Sequence, residues 1–562
     1  MEVDTKNPLT MRAIFFGIFL GALLDFLGIY LSYKVGIAAI GGTFILGYLL
    51  LKLTGEYNYR ENVVILIIVG AMSLPAFGVS ANIAALVVFR DYLAHTIYIS
   101  IPLIVVVSLV GSILGVLLLY PLRKQFLELR WPMILPTATI VKALAEKGEY
   151  FRRALYGLIS SMIITISAFV SNLRTFRLKY MPSFIGFEIS PLMFAVGFFI
   201  SFTGSLLLLI GSIYSILVWY FIEGGVSNIT ISEHITNPMI FSIAIPMMVT
   251  TAFLNLYENR HVFKETFRNL RVGDDEGFIP SWASFASLVL LPIFSLIGLA
   301  LVPELPFDMI IDIGKIIVFA LPIVFISAIF LARARGESGF SVSFTVDVVL
   351  ILTTVLFLPD VEDMFIAFAI LGSYEFASLI FLNYMKFGQL TNVDEKTVFK
   401  AILIGIIPGV VITALSIWSF HYLLGGLGSE NFPVPNAYAA GGYILGVVQA
   451  IKSGVVPPIY DPYLVVVSVV LTIALQQVFK RLKVRGFSPI ILAIGMLVPP
   501  SYIFPIFLGG LFDLYLKIKN KHDKSKAKKV YEDALVFLSG VAGGEGIVLL
   551  FMTLLVIVFL LI

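Results

Sequence analysis

The stretch Gly486–Asp513, GFSPIILAIGMLVPPSYIFPIFLGGLFD, combines the apolar character of a membrane helix with residues that interrupt helices. As one α-helix it would be ~42 Å long, which exceeds the ~30 Å hydrocarbon core of a bilayer. It contains four prolines and a Gly-Gly pair, and the basic clusters KRLKVR and KIKNKHDKSKAKK flank it. This pattern predicts a segment that enters the membrane, breaks, and returns to the same side. A single kinked span is the alternative interpretation.

The composition of the whole chain predicts the same environment. Hydrophobic residues make up 59% of the chain and charged residues 13%, whereas about one quarter of a soluble domain is charged. Apolar stretches of about 17 to 25 residues recur from Met11 to Ile562, and each is long enough to cross a bilayer. We therefore predict an all-α polytopic membrane protein with about 14 to 17 transmembrane helices.

Several classes of function are excluded by composition. The net charge of +3 is nearly balanced, so we expect no nucleic acid partner. The chain has no cysteine, which excludes disulfides, thiolate catalysis and zinc–thiolate sites. Its five histidines are scattered, so we expect no metal site, and we expect no cofactor. They are His95, His234, His261, His421 and His522.

The distribution of Lys and Arg predicts the orientation. Loops 121–153, 257–280 and 385–400 are basic, whereas loops 223–236 and 421–435 contain no Lys or Arg. Since basic loops stay in the cytoplasm, we expect a cytoplasmic N-terminus in the cytoplasmic membrane. Beyond residue 435 the alternation continues only if the broken stretch re-enters on one side.

A second segment has a similar character in the first half of the chain. Pro121–Tyr156 also runs from basic residues through a short proline-interrupted apolar piece to basic residues and a new helix. Paired broken segments in two halves point to a transporter binding site. We therefore expect an N-terminal transmembrane half, residues 1–280, and a C-terminal transmembrane half, residues 281–562.

The end of the chain resembles a known family. SPIILAIGMLVPPSYIFPIFLGGLFD followed by ALVFLSGVAGGEGIVLL is similar to the C-terminal signature of the oligopeptide transporter family. MILPTATIVKAL, ENVVILIIVGAMSLPAFG and NFPVPNAYA resemble further segments of that family, in an order that covers nearly the whole chain. The family's Asn-Pro-Gly motif is missing, as is its Asp before a Leu-Lys-Thr-Gly turn, where Asn383 and Lys386–Gly388 stand instead. The type of substrate therefore does not transfer.

The resemblance implies a secondary active transporter that imports oligopeptides or peptide-like metal chelates in symport with protons. It implies alternating access around a central cavity, which we expect the broken segments to form. It also implies about 16 helices from duplicated units, and it suggests a homodimer.

Ionisable side chains inside apolar segments are the first site candidates, because each costs at least ~2.5–3.5 kcal/mol at the bilayer centre. Glu545 leads, since two glycines precede it and let other backbone approach closely. Together with Glu375, Asp347 and Asp25, it could bind a substrate ammonium or carry the coupled proton. A structural ion pair, or a position nearer the membrane surface, is the alternative for each.

Lys315 has two possible roles. It could pair with Asp312, which lies three residues earlier on the same predicted helix, or it could receive a substrate carboxylate. The spacing favours the ion pair.

Polar residues near the interrupted backbone complete the candidates. Glu337 lies in the polar stretch ARARGESGFSVSFT, whose arginines, Arg333 and Arg335, are typical of anchors at the cytoplasmic surface. Hydroxyls at the broken segments could bind substrate, or could satisfy the freed backbone groups locally. These hydroxyls belong to Thr137, Thr139, Ser501 and Tyr502.

Two other classes of membrane protein are alternatives to a transporter. A membrane-embedded enzyme acting on lipid-linked substrates is the alternative, but the sequence has no HExxH helix and no nucleophile elbow. A channel would need a selectivity filter, and no repeated filter motif occurs. The sequence therefore favours a transporter.

Overall fold

The structure, a computed structural model, describes most of the chain. The described residues are 7–35, 43–129, 131, 134–146, 148–171, 175–177, 180–182, 184–229, 233–234, 237–258, 279–280, 282–338, 345–429, 432, 434–454, 461–482, 487–519 and 523–561.

The described part is almost entirely α-helical. The helices are α1 Met11–Val35, α2 Thr43–Leu53, α3 Tyr59–Met72, α4 Leu74–Val88, α5 Ile101–Leu118, α6 Arg123–Leu127, α7 Ile134–Glu146, α8 Gly148–Val170, α9 Pro191–Phe221 and α10 Pro238–Glu258. They continue with α11 Trp282–Ala300, α12 Phe307–Ser338, α13 Thr345–Phe357, α14 Val361–Thr391, α15 Glu395–Tyr422, α16 Pro435–Ser453, α17 Pro462–Arg481, α18 Pro489–Leu497, α19 Pro500–Lys519 and α20 Lys524–Leu561. Two short strands, β1 Thr175–Arg177 and β2 Gly186–Glu188, pair antiparallel.

The helices have the length and apolarity of membrane spans. Within the described residues, 11 helices are long and apolar enough to cross a bilayer, and two shorter apolar helices accompany them. Several of the helices have a side-chain cap at the N-terminal end; for example, the Asp394 side chain accepts a hydrogen bond from the Thr397 amide. The prediction of a polytopic all-α membrane protein is thus confirmed.

The chain forms two compact units that alternate along the sequence. The first unit contains residues 1–38, 46–146 and 258–455, and the second contains residues 39–45, 147–257 and 456–562. Each unit takes helices from both the first and the second half of the chain. These units do not test whether residues 1–280 and 281–562 are duplicated halves, so that division stays a prediction.

The first unit is organised around α14, whose side chains are mostly buried. Glycines on α5 approach α14 so closely that a Cβ would overlap a backbone carbonyl oxygen, and glycines on α15 approach α3 in the same way. Both sets have the spacing Gly-x-x-x-Gly, which lets helix backbones meet in membranes. The pairs are Gly111 with Ile370, Gly115 with Tyr374, Gly405 with Ile68 and Gly409 with Met72.

Candidate functional site

Two interrupted helices contact each other in the second unit. Helix α9 contains one residue with a non-helical backbone, Ser201, at φ 69° and ψ 168°. Val498 and Pro499 separate α18 from α19. A continuous helix across 488–515 is therefore excluded, which confirms the predicted break. The return of this segment to the same side of the membrane stays a prediction.

These two broken elements make equivalent contacts. Four glycines, two on each element, lie so close to the other element that a Cβ would overlap a carbonyl oxygen. Each contacting residue of α9 has an equivalent on α18 or α19 that lies 298 residues later in the chain; for example, Gly495 is the equivalent of Gly197. The contacts are Gly197 with Ile506, Gly495 with Leu208, Gly211 with Leu492 and Gly509 with Phe194.

The same spacing relates two stretches of sequence. Residues 190–197 read SPLMFAVG and residues 488–495 read SPIILAIG, so that Ser-Pro, Ala and Gly recur at the same positions. The broken stretch therefore has α9 as a counterpart in the structure, and its expected pairing with Pro121–Tyr156 stays a prediction. The repeated Ser-Pro-x-x-x-Ala-x-Gly was the signal that would have identified α9.

Acidic side chains hold the starts of both parts of α9. Glu545, only 1% exposed, accepts hydrogen bonds from the Ser190 hydroxyl (2.9 Å) and the Leu192 amide (2.7 Å). The buried Asp513 accepts one from the amide of Phe202, which follows the break, at 3.3 Å. Amides at a helix start favour negative charge, so Glu545 stabilises the start of α9 and Asp513 stabilises the new start after the break. Sequence reasoning singled out Glu545 but missed Asp513.

The hydroxyl candidates at the second break are close to other backbone. The Ser501 amide donates to the Phe184 carbonyl (3.2 Å), so the freed amide is satisfied within the protein. The Ser501 side chain is buried, and Tyr502 is half-buried.

His234 and Glu223 form a pair next to Phe184, the residue whose carbonyl accepts the Ser501 amide. His234 stacks on the Phe184 ring at 4.3 Å, and its Nδ1 lies 3.2 Å from both carboxylate oxygens of Glu223. Asn237 also donates to Glu223, at 3.0 Å. Burial lowers the pKa of His234 to about 4, so at neutral pH the ring is uncharged and its Nδ1–H donates to the carboxylate. Nε2 is buried without a hydrogen-bond partner. Sequence reasoning counted His234 only as a scattered histidine.

Two predicted carboxylates are buried in the first unit. Glu375 on α14 accepts a hydrogen bond from the Ser327 hydroxyl of α12 at 2.5 Å. Asp25 on α1 accepts one from the Thr413 hydroxyl of α15 at 3.1 Å. Both side chains are thus inside the protein and not at its surface. The functional role assigned to them stays a prediction.

The remaining candidates are more dispersed. Lys315 donates to Asp312 at 2.6 Å, and both side chains are about half exposed, which agrees with the expected ion pair. Thr137 is half-buried on α7. Three further candidates lie within helices, but their side chains are outside the described residues. They are Asp347 on α13, Glu337 on α12 and Thr139 on α7.

One cluster has potential metal ligands. Ligand atoms of His95, Asp360 and Glu362 lie within 4.8 Å of one another. The backbone amide of His95 donates to Glu362 at 2.7 Å, and Lys452 pairs with Asp360 at 2.6 Å. These hydrogen bonds already use the carboxylates, so we interpret the cluster as a structural network.

Comparison with protein families gives a match over nearly the whole chain. The family described as "OPT oligopeptide transporter protein" matches residues 8–556. A comparison with curated proteins found no match.

Proposed function

The chain belongs to the OPT oligopeptide transporter family, and from this premise we propose that it imports oligopeptides or peptide-like metal chelates in symport with protons. As a member of this family it is a multi-pass membrane transporter with a peptide-like substrate, and it is not an enzyme. The alternative of a membrane-embedded enzyme is therefore set aside. The cytoplasmic membrane, a cytoplasmic N-terminus and a homodimer belong to the proposal.

The observation that carries the proposal is the pair of broken helices in the second unit. A break in a membrane helix frees backbone amides and carbonyls, which can bind polar substrate groups when a cavity reaches them. The breaks at Ser201 and at Val498–Pro499 lie in elements with equivalent contacts. Such paired elements support alternating access, because the two arrangements of a repeat can exchange.

Buried carboxylates support the coupling to protons. Glu375, Asp25 and Glu545 each accept a hydrogen bond from a Ser or Thr hydroxyl inside the protein. A carboxylate in such a place can alternate between a charged form that binds a substrate ammonium and a neutral form that carries a proton. Since Glu545 also binds a helix start, we propose Glu375 and Asp25 as the first coupling residues.

Uptake into proteoliposomes tests the proposal. An inward proton gradient is imposed, and a mixed peptide pool is compared with iron–chelate complexes. We expect gradient-driven accumulation of one pool, which is lost in Glu375→Gln. The matched control is Asp91→Asn, because Asp91 is 88% exposed and can be neutralised without a change in the interior.

The outcomes separate the parts of the proposal. Accumulation that does not respond to the proton gradient would contradict proton symport but keep the transporter. Gradient-driven accumulation that is unchanged in Glu375→Gln would assign the coupling to another carboxylate, and Asp25→Asn and Glu545→Gln are then compared in the same assay.

A further inference from the structure

Arg335 is a half-buried cation without an anionic partner among the described residues. It lies near the end of α12, and its Nε is buried with no hydrogen-bond acceptor. No acidic side chain among the described residues forms an ion pair with it. Taking a guanidinium out of water costs several kcal/mol unless an anion compensates it.

The position of Arg335 does not suit a membrane anchor. The apolar run of α12 continues to Ala332, ~4.5 Å before Arg335 along the helix axis. An anchor there would extend to lipid headgroups. Instead, the end of α12 is fixed inside the unit, because the Gly336 carbonyl accepts a hydrogen bond from the Trp131 amide at 2.7 Å.

The surroundings of Arg335 supply donors and an aromatic face. Its guanidinium lies 6.0 Å from the centre of the Phe376 ring, and its charge interacts with the Tyr384 side chain. The Tyr384 hydroxyl lies against Gly70 of α3, where a Cβ would overlap it. Gly70 therefore leaves the space that the phenol occupies. A guanidinium and a phenol together provide several hydrogen-bond donors and no negative charge.

The buried acid of the same helix pair already has a hydrogen-bond donor of its own. Ser327 of α12 holds Glu375, whereas Arg335 lies eight residues further along α12, or ~12 Å. Glu375 thus has a hydrogen bond to Ser327 and no ion pair with Arg335.

We propose that Arg335, with the Tyr384 hydroxyl, binds the carboxylate of the peptide-like substrate. The proposal rests on the proposed function, which supplies a substrate with a free carboxylate. A planar guanidinium forms two parallel hydrogen bonds with a carboxylate, and these are stronger than neutral ones. The ligand thus supplies the charge that the protein itself does not.

The test uses purified protein in detergent and thermal unfolding as the readout. Trialanine is compared with trialanine amide, in which the carboxylate is replaced. In the wild type we expect the amide to bind at least about tenfold more weakly, as the loss of a charged hydrogen bond predicts. In Arg335→Gln we expect the two ligands to bind equally, and in Tyr384→Phe we expect a smaller difference than in the wild type.

A second arginine provides the control for folding. Arg123 lies beside a tyrosine too, at 3.9 Å from the Tyr120 ring, but it is fully buried and its Nε lies 2.7 Å from a Glu395 carboxylate oxygen. Without ligand, we expect Arg123→Gln to lower the unfolding temperature, and Arg335→Gln to leave it unchanged or raise it. A lower unfolding temperature in Arg335→Gln, with the preference for trialanine retained, would overturn the proposal.

Failure of the proposed function can be recognised separately. If the wild type binds neither trialanine nor its amide, peptide transport is contradicted, and N-acetylalanine and inorganic phosphate then test the anion site directly. Stabilisation by N-acetylalanine that disappears in Arg335→Gln would still support a carboxylate site. Stabilisation by phosphate alone, or by neither anion, would overturn it.

Discussion

Substitution of single glycines in α9 tests whether the broken helices meet as tightly as the structure shows. A Cβ at Gly197 would overlap the carbonyl oxygen of Ile506 and lie 2.6 Å from its carbonyl carbon. Ordinary carbon–carbon contacts are about 3.5–4.0 Å, so α9 and α19 would have to separate by ~1 Å. Overpacking of this kind costs about 1–3 kcal/mol, which is the destabilisation that we expect for Gly197→Ala.

The same helix provides a matched control. At Gly204 the nearest atom to a new Cβ is Ile200 Cβ at 3.5 Å, which is an ordinary contact. Alanine is favoured over glycine in a helix by about 0.5–1 kcal/mol, so Gly204→Ala should stabilise the protein by up to that amount. The two substitutions add the same methyl group to one helix, yet their effects should have opposite signs.

Thermal unfolding of the two variants in the same detergent is the assay. Gly495→Ala should resemble Gly197→Ala, because the two glycines make equivalent contacts with Leu208 and Ile506. Equal unfolding temperatures for Gly197→Ala and Gly204→Ala would refute the close approach. A large loss for Gly197→Ala with none for Gly495→Ala would refute the equivalence of the two elements.

Three further predictions concern the same unit. Ser201→Gly should raise the unfolding temperature, since a non-glycine residue at φ 69° costs about 1–3 kcal/mol, and no increase would contradict that strain. Asp513→Ala should lower the unfolding temperature more than Asp513→Asn, because Asn retains an acceptor for the Phe202 amide; equal losses would assign the effect to charge. Burial lowers the pKa of His234 to about 4, whereas it is about 6.5 in the unfolded chain. As the pH decreases from about 6.5 to about 4, the unfolded state therefore binds a proton before the folded state does, and the stability of the fold decreases. The free energy of unfolding should fall by about 3 kcal/mol over this pH range on account of His234 alone. Glu223 acts in the opposite direction, because burial raises its pKa. A pH profile of stability that is unchanged in His234→Asn would contradict the prediction.

Local sequence patterns predicted the features that depend on local chemistry. The length of the apolar segments predicted a helical membrane protein, and Pro499 together with Pro500 predicted the break. Lys315 and Asp312 form the pair that their spacing favoured. In each case the residues that decide the structure are neighbours in the chain, so propensity and periodicity are sufficient.

Contacts over long sequence distances could not be predicted in this way. Glu545 was selected for its glycine neighbours, but its partners Ser190 and Leu192 are more than 350 residues away. The sequence favoured a membrane anchor at Arg335, because it does not show that Phe376 and Tyr384 lie near this side chain. The relation between α9 and α18–α19 is an exception, because the recurring Ser-Pro and Gly residues of the two segments could have predicted it.

The two breaks occupy equivalent places but are made by different chemistry. Ser201 corresponds to Pro499 at the 298-residue spacing. Pro499 and Pro500 cannot donate backbone hydrogen bonds and have a fixed φ, so that break persists whatever surrounds it. The break at Ser201 has no such covalent cause; it is a strained conformation, and the bond from the Phe202 amide to Asp513 helps to hold it. Because strain can be released by a change in surroundings, we expect α9, and not α18–α19, to be the element whose break changes during transport.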